Sequence, residues 1–491
     1  MRLPGDMVWI AVAPHLLVLV TMTVVLLSII ALAHKPRREQ AELAAMLTSA
    51  GLAATLVLLV LVWDRAGIEA FGRCVALDHY GLLLSFLLVG ATLLVSLISP
   101  RYLELERIES GEYYFLLLSA LFGAICMVAT NDLLIIFLGL EIMSISIYVL
   151  AGLLQRQRRS GEAALKYFLL GAFATAFLLY GMALLYGQGG STHLREIARS
   201  MPRETIVGTA GIGLLIVGLG FKIAAVPFHM WTPDVYDGAP TPVTGLMAAV
   251  VKIAAFAALL RVIGELLGPF PAPVHNVWVY TLTALAVITM TYGNVVALVQ
   301  RNIKRMLAYS SIAHAGYMLV GLAALFTNPN DGAGSLLYYL TAYTLMNIGA
   351  FAVVIVVSGR NEQSFDIEGY AGLAARRPGV ALAMAVCLFS LAGIPPLAGF
   401  FGKYYLFIAA MRSGLVGLVI VAVLNSALSV YFYIRIVYLM YMREPVAEQP
   451  PTNRHWGLSL ALGLCAVAVL LLGLFPNSLL RLIAESLGVF F

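Results

Sequence analysis

The sequence is divided into long apolar runs, and most of them are close in length to the thickness of a lipid bilayer. Crossing a hydrocarbon core of about 30 Å takes about 20 residues of helix. Only 11% of the 491 residues are charged, whereas soluble domains contain about 25%. The mean hydropathy of +0.94 is equally unlike that of a soluble core with a polar surface. The chain is therefore predicted to be a polytopic membrane protein.

The apolar runs are predicted to be helices. Lipid offers no partner to unpaired backbone groups, so only helices and closed barrels span it, and these runs lack the alternating pattern of barrel strands. We predict an all-α fold with about 14 transmembrane segments near residues 8–33, 42–63, 79–98, 113–130, 132–154, 162–186, 206–228, 241–264, 277–299, 303–326, 335–358, 379–411, 415–441 and 457–475.

Lysine and arginine are distributed unequally between the two sets of alternate loops. One set carries twice as many of them as the other, and such an excess marks the cytoplasmic side. Both termini belong to the set of loops with fewer lysines and arginines, and they are predicted to lie outside. The first run lacks a small-residue cleavage site, so it is predicted to be a retained helix and not a signal peptide. The richer loops are 34–40, 99–112, 155–160, 300–305, 359–378 and 442–456.

Two segments contain proline in their interior. The seventh continues to Val226 and then reads PFHMWTPDVYDGAP, and the twelfth contains Pro395 and Pro396. Proline removes a helix hydrogen bond and clashes with the preceding turn, so both segments are predicted to be broken helices. Breaks at matching positions, five segments apart, indicate an inverted repeat with a polar pathway inside it.

The proposed repeat divides the chain into four predicted regions. Residues 1–112 would form helices 1–3, residues 113–264 a first five-helix repeat, residues 277–441 a second, and residues 442–491 helix 14 with an amphipathic tail. Because five is odd, corresponding helices of the two repeats run in opposite directions.

Five ionisable residues are predicted to lie at membrane depth. A charged side chain at the centre of a bilayer costs about 2.5–3.5 kcal/mol even on the most lenient scale, so such residues are usually functional. A row of groups that exchange protons at modest cost is what a proton relay requires. The five residues are Glu141, Lys222, Lys252, His314 and Lys403.

A structural role for these residues is the alternative. A buried Lys–Glu pair such as Lys222 with Glu141 often only stabilises a fold, and His314 could simply be a hydrogen-bonded packing residue. The remaining lysines and the paired helix breaks favour the relay. Burial disfavours a charged lysine and a nearby carboxylate favours it, so the charge state of Lys222 would depend on Glu141.

Three further residues are candidates for a supporting role. Lys166, beside a cytoplasmic loop, is placed at the side where protons would be taken up. His229 and Asp234 follow the first break, where we expect them, with Asp237, to cap and hold the broken helix. Arg261, near a helix end, is expected to snorkel or to form an ion pair, as is Arg435.

Several classes of function are disfavoured by composition. The net charge of +5 is spread over many loops, so no basic arm or stripe is present for nucleic acid. The four cysteines have no spacing typical of iron–sulfur, zinc or disulfide sites, and no histidines pair as haem ligands. We predict no metal and no redox cofactor on this chain.

Three stretches resemble the antiporter-like membrane subunits of respiratory complex I. FKIAAVPFHMWTPDVYDGAPTPVTGLMAAVVKIAAFA is similar to their broken helix 7 with helix 8, NIKRMLAYSSIAHAGYMLVG to helix 10, and LAGIPPLAGFFGKYYLF to broken helix 12. The resemblance covers nearly the whole chain. Within the family, the motif WTPDVYDGAP and the lysine in segment 12 resemble those of the N-type branch. The L, M and Mrp branches usually read W-L-P-D-A-H at the position of that motif.

This resemblance implies a component of a redox-driven proton pump in a bacterial plasma (inner) membrane. NADH, FMN, iron–sulfur clusters and quinone would be bound by other subunits. The implied partners are a neighbouring antiporter-like subunit, the small subunit that links it to the quinone module, and lipid. By resemblance, Glu141 modulates the pump lysine Lys222, and Lys252 is the connecting lysine of segment 8. His314 matches the histidine of segment 10, and Lys403 the segment-12 lysine on the outlet side.

Two rival functions remain open. A subunit of an Mrp-type cation/proton antiporter would use the same row of residues, driven by an ion gradient. A non-pumping structural subunit would use the charges only as salt bridges.

Overall fold

A computed structural model describes residues 5–31, 34, 36–200, 206–267, 272–358, 365–445 and 456–488, and helices make up almost all of them. The helices are α1 (Gly5–Ala31), α2 (Arg37–Leu61), α3 (His79–Glu106), α4 (Ser110–Val128), α5 (Leu133–Ala151), α6 (Arg158–Gly189), α7 (Leu194–Ser200), α8 (Ile206–Ile223), α9 (Thr232–Gly238), α10 (Thr241–Leu246), α11 (Lys252–Leu267), α12 (Ala272–Leu298), α13 (Ile303–Ala324), α14 (Pro329–Ser358), α15 (Leu373–Arg376), α16 (Pro378–Ala392), α17 (Ala398–Arg412), α18 (Val416–Met442), α19 (Trp456–Leu474) and α20 (Pro476–Leu487).

The prediction of an all-helical, multi-pass membrane protein is confirmed. In the described part of the chain, 13 helical segments are long and apolar enough to cross a membrane. The remaining predicted segment, the twelfth, consists of the half-helices α16 and α17, each of 15 residues. One short feature was not predicted, an antiparallel hairpin of β1 (Ile68–Ala70) and β2 (Val75–Leu77) between α2 and α3.

Polar caps determine where two of the long helices begin. The Asp132 carboxylate accepts from the second and third backbone N–H groups of α5, and the Asn302 side chain does the same for α13. Such caps satisfy N–H groups that have no partner within the helix. Next to each cap the chain forms a short antiparallel bridge, Asp132 with His193 and Asn302 with Asp366. Segments 5 and 10 thus begin alike, as the repeat requires, although the division into repeats stays a prediction.

The first break begins earlier than the prolines predict. Helix α8 ends at Ile223, not Val226, because Ala224 adopts a left-handed backbone with φ of 61°, a conformation that interrupts a right-handed helix. Two side chains satisfy backbone groups around the break. The Val226 N–H donates to Thr289 Oγ1 at 3.0 Å, and Trp231 Nε1 donates to the Phe221 carbonyl at 3.0 Å.

The second break separates α16 from α17. Gly393 follows α16 with φ of 89°, which glycine adopts without a Cβ clash. The Gly399 N–H, at the start of α17, donates to Ser390 Oγ at 2.9 Å. A Cβ on Gly399 would lie only 1.9 Å from the Ser390 carbonyl oxygen. The two half-helices therefore approach as closely as glycine allows.

A third irregularity precedes one of the predicted site residues. A π-helical turn, Met247–Val251, separates α10 from α11, and Lys252 follows it directly. Turns of this kind are often found at functional sites.

A buried arginine joins three helices at the end of the bundle opposite the predicted cytoplasmic loops. The Arg261 guanidinium, on α11, donates to both Asp78 carboxylate oxygens at 2.8 and 2.9 Å. It also donates to Asn131 Oδ1 at 2.5 Å and to the Val128 carbonyl at 2.8 Å, and it stacks over the Tyr80 ring at 4.7 Å. The sequence-based expectation of an ion pair for Arg261 is therefore met.

We expect Arg261→Leu to lower the free energy of unfolding by about 3 kcal/mol, because removing one partner leaves a poorly solvated charge unpaired. The measurement is the thermal melting midpoint of the purified full-length protein. Arg412→Leu is the control: it breaks an exposed pair with Asp331, which should cost less than about 1 kcal/mol. Equal melting midpoints for the two variants would contradict the assignment.

Candidate functional site

Four of the five predicted site residues lie inside the helix bundle. The exposed fractions are 2% for Lys222, 1% for Lys252, 1% for His314 and 3% for Lys403. The fifth, Glu141, is half-buried on α5. Each of the buried groups is held by polar or aromatic neighbours that come from other helices.

Lys222 lies in an aromatic pocket at the end of α8. Its Nζ donates to the Tyr148 hydroxyl at 3.2 Å, which is its one hydrogen bond within the described chain. The ammonium is 5.2 Å from the centre of the Tyr148 ring, and 5.4 Å from the centres of the Tyr167 and Phe221 rings. Aromatic faces attract cations, most strongly where water is excluded. The pocket can therefore hold the charged lysine without a carboxylate in contact.

Glu141 influences Lys222 without forming a direct ion pair with it. Glu141 Oε1 accepts from Thr175 Oγ1 on α6 at 2.9 Å, and no oxygen of Glu141 lies within 4.0 Å of Lys222 Nζ. The charges of the two groups still interact through space. Tyr148, seven residues after Glu141, also feels the charge of that carboxylate. Tyr148 therefore contacts the lysine directly and shares helix α5 with the acid.

Lys252 is bound at the centre of the bundle by groups from α13 and α14. Its Nζ donates to the Ser311 carbonyl and lies 5.3 Å from the centre of the Tyr343 ring. The Ser311 hydroxyl accepts from the Tyr343 hydroxyl at 2.7 Å and lies 3.4 Å from the hydroxyl of Tyr236. Because Tyr236 also packs against Trp231 of the first break, the surroundings of Lys222 and Lys252 are connected.

His314 is held between two tyrosine hydroxyls. Its Nδ1 is 2.5 Å from the Tyr339 hydroxyl, and its Nε2 is 2.9 Å from the Tyr433 hydroxyl. The Tyr433 hydroxyl also contacts the Ser310 hydroxyl. A hydroxyl can both donate and accept. The ring can therefore gain a proton at one nitrogen and lose it from the other without changing its position.

Lys403 binds the free carbonyl end of α16. Its Nζ donates to the Leu391 and Ala392 carbonyls, each at 3.0 Å, and to Ser426 Oγ at 2.9 Å. It also lies 5.0 Å from the centre of the Tyr317 ring. The last carbonyls of a helix lack partners within the helix and carry its partial negative charge. The second break therefore supplies the binding site for this lysine.

Two features of the structure favour glycine at position 393. Besides its positive φ, a Cβ added to it would lie 3.1 Å from Lys403 Cδ and 3.3 Å from Lys403 Nζ. A side chain at this position would therefore require a strained backbone and a shift of the Lys403 side chain by a few tenths of an ångström.

Two of the three supporting candidates, Lys166 and Asp234, are in contact at the predicted cytoplasmic end. The Asp234 carboxylate accepts from Lys166 and Arg305, each at 2.8 Å, and Lys166 also contacts Glu162 at 2.7 Å. No side chain caps α9, so the expected capping by Asp234 is wrong, whereas its ion pairs do hold the broken helix in place. Two nearby cations attract the carboxylate more strongly than backbone N–H groups do, so it joins α9 to α6 and α13.

The other two residues expected to cap the helix do not do so either. The Asp237 carboxylate accepts from Asn302 Nδ2 at 2.8 Å. The ring of His229 packs edge-on against Tyr292 at 4.6 Å, and its Nδ1 is buried without a partner.

The sequence analysis missed the aromatic hydroxyls and one buried cation. Tyr148, Tyr339, Tyr343 and Tyr433 contact the predicted residues directly, although tyrosines at helical spacing look like ordinary core residues. Lys304, also fully buried, donates to the Ala239 carbonyl at 2.7 Å. Within the described residues, no group of three or more histidines, cysteines and acids could hold a metal ion.

Comparison with known proteins points to one family. Residues 130–429 match the family described as "NADH:quinone oxidoreductase/Mrp antiporter, TM". The chain is 48% identical over 426 residues to NADH-quinone oxidoreductase subunit N of Trichlorobacter lovleyi, a match that covers 85% of each chain.

Solved structures give the same result. The chain matches a chain of respiratory complex I from Thermus thermophilus with bound aureothin, with a TM-score of 0.81 and 37% identity, covering 96% of this chain and 99% of that one. A chain of the Mrp complex from Dietzia sp. DQ12-45-1b matches with a TM-score of 0.83 and 22% identity, covering 97% of this chain and 96% of that one. The second likeness shows the fold alone.

Proposed function

The chain belongs to the NADH:quinone oxidoreductase/Mrp antiporter family of membrane subunits, and we propose that it is the proton-translocating N-type subunit of an NADH:quinone oxidoreductase. The observation that supports this function best is the row of buried basic groups, each held by hydroxyls, carbonyls or aromatic faces in place of carboxylates. A buried cation with a structural role can pair with an acid, as Arg261 does with Asp78. Lys222, Lys252, His314 and Lys403 are not paired in this way.

We propose that a proton reaches Lys222 or Lys252 from the cytoplasm, passes through His314 and intervening water, and reaches Lys403. The uptake side is the group of Lys166 and Asp234, with His229 beside the first break. The Ser311 and Tyr343 hydroxyls support transfer between Lys252 and His314, because the His314 and Tyr343 rings are 5.2 Å apart. From Lys403 the proton would leave on the outer side.

The trigger is proposed to come from neighbouring subunits. Glu141 lies half-buried on the lateral surface of α5, close to the exposed Leu138 and Ile145. A charge on an adjacent subunit can therefore act on Glu141, and Glu141 on Lys222. The partners would be a neighbouring antiporter-like subunit and the small subunit linking to the quinone module, with NADH, FMN, iron–sulfur clusters and quinone on other chains. The complex would lie in a bacterial plasma membrane, with both termini of this chain outside.

An Mrp-type antiporter subunit is the second candidate, because the fold is shared. Sequence identity favours the oxidoreductase. The chain is 48% identical to the Trichlorobacter lovleyi subunit N and 37% identical to the Thermus thermophilus complex I chain, but only 22% identical to the Mrp chain. Purification from native membranes distinguishes the two functions. The proposal requires flavin-containing and iron–sulfur subunits to co-purify with this chain, whereas an antiporter subunit would purify without them.

We expect Lys222→Arg to abolish most proton translocation by this chain while the complex still assembles. Arginine keeps the positive charge and the aromatic contacts, but it is not deprotonated in proteins. The measurement is the number of protons moved per NADH oxidised in proteoliposomes. Glu141→Ala should lower the same ratio, because Lys222 would lose the charge that modulates it.

The control for Lys222→Arg is Lys304→Arg, a buried lysine outside the row, which should leave protons per NADH unchanged. Wild-type stoichiometry in both Lys222→Arg and Glu141→Ala would refute the relay. Loss of assembled complex at unchanged stoichiometry would instead identify a structural subunit.

We expect Tyr433→Phe to slow translocation by about tenfold. The substitution removes the hydroxyl that contacts both His314 and Ser310, and an unsatisfied buried polar group costs about 1–3 kcal/mol. The measurement is the initial rate of proton uptake by proteoliposomes, normalised to assembled complex. Tyr338→Phe is the matched control, since that buried hydroxyl donates to the Leu472 carbonyl, away from the row. Equal rates for the two variants would remove Tyr433 from the route.

A further inference from the structure

A groove outside the proton route lies on the surface of α18, at its predicted cytoplasmic end. The groove has a volume of about 570 Å³. One wall is the stretch containing the 3₁₀ turn Ile367–Tyr370, which is held to the helix by a hydrogen bond from Gly372 N–H to the Leu439 carbonyl at 3.1 Å. The other wall is the outer face of α18. The residues that line the groove are Glu368, Tyr431, Ile434, Arg435, Tyr438, Leu439 and Arg443.

Two cations in this groove have no anionic partner in the described chain. Neither Arg435 nor Arg443 forms an ion pair with a described residue. Arg435 is half-buried and lies seven residues before the end of α18, which is about 10 Å along the helix axis. The Arg443 guanidinium lies 5.9 Å from the centre of the Tyr438 ring. An arginine so far inside a membrane helix normally finds an anion or reaches the interface.

An exposed apolar stripe extends from the groove along the same face of α18. Ile420, Leu424 and Tyr431 are 57%, 65% and 63% exposed, and their spacing of four and seven residues places them in one row. Leu424 lies eleven residues before Arg435, about 16 Å along the helix axis. The face therefore combines a cationic groove at the interface with an apolar surface about as long as an acyl chain.

From this arrangement we infer that the α18 groove binds the phosphate headgroup of an anionic phospholipid of the cytoplasmic leaflet. The two guanidinium groups bind phosphate oxygens, for which the planar arginine fork is well suited. The exposed Tyr438, near the end of α18, lies at headgroup level, where aromatic residues are enriched. One acyl chain lies along the apolar stripe. Glu368, the one carboxylate of the groove, is exposed and stays in water.

Lipid fits these observations better than a protein partner does. A protein would have to place an acid opposite each arginine and also cover the apolar stripe, whereas one lipid molecule has both parts in the required order. Basic grooves on the cytoplasmic side of membrane proteins bind anionic headgroups in this way.

The experiment uses the full-length chain in the assembly with which it purifies, reconstituted in nanodiscs. The probe is phosphatidylglycerol with a photoreactive diazirine on one acyl chain, compared with the matching phosphatidylcholine probe. After irradiation, mass spectrometry quantifies labelling of peptides from α18. We expect the anionic probe to label α18 up to about 30-fold more strongly, because each arginine near an anionic headgroup contributes about fivefold in affinity.

The double variant Arg435→Gln/Arg443→Gln should reduce anionic labelling to the level of the zwitterionic probe. The Arg435→Lys/Arg443→Lys variant, which keeps both charges, should retain most of the preference even if the glutamine variant folds poorly. Arg38→Gln is the control, since that exposed arginine belongs to another cytoplasmic loop and pairs with Glu42; it should change nothing.

Three results would overturn the inference. Equal labelling of α18 by the two probes would show that charge is not recognised. Cross-links from α18 to another subunit, with little lipid labelling, would show that a protein covers the groove. Equal labelling by the two probes, together with binding of inorganic phosphate that the glutamine variant loses, would show a site for soluble phosphate and not for lipid.

Discussion

A helix broken inside a bilayer must find new partners for the backbone groups that the break releases, because the surrounding lipid offers none. In this chain both breaks meet that requirement with side chains. At the first, Thr289 and Trp231 satisfy backbone groups around the break. At the second, the ammonium of Lys403 takes the carbonyls of Leu391 and Ala392. Part of the polar interior is thus a direct consequence of the breaks.

The lysines beside the two breaks have different surroundings. Lys403 has three oxygen acceptors from α16 and α18, so its surroundings are determined within this chain. Lys222 has the Tyr148 hydroxyl and the ring faces of Tyr167 and Phe221, and the carboxylate of Glu141 acts from a distance. A through-space interaction changes when the charge or position of Glu141 changes. In the proposed mechanism Lys222 would therefore be the group that responds to a neighbouring subunit, whereas Lys403 would stay bound to its three oxygen acceptors.

Much of this arrangement could be predicted from the sequence, because it depends on features that are local. Segment lengths predict the spans, prolines predict the breaks, and residue position along a span predicts the depth of Glu141 or Lys252. What could not be predicted depends on tertiary contacts. The left-handed Ala224 and the π-helical turn before Lys252 have no sequence signal, and Asp234 pairs with cations of α6 and α13 that only the fold brings near. Tyrosines such as Tyr433 are indistinguishable in sequence from apolar core residues.

Lys252, His314 and Lys403 have no acidic side chain in contact among the described residues, and this affects how their charges interact. No described aspartate or glutamate contacts Lys252, His314 or Lys403, and His314 interacts electrostatically with both lysines. A hydroxyl or carbonyl stabilises a nearby cation without adding an opposite charge, so positive charges on these groups repel one another with little compensation. Groups coupled in this way cannot be treated as independent sites. In the proposed relay, a proton that arrived at Lys252 would raise the free energy of a proton on His314, and a proton on His314 would do the same for Lys403, so uptake at one end of the row would favour release at the other.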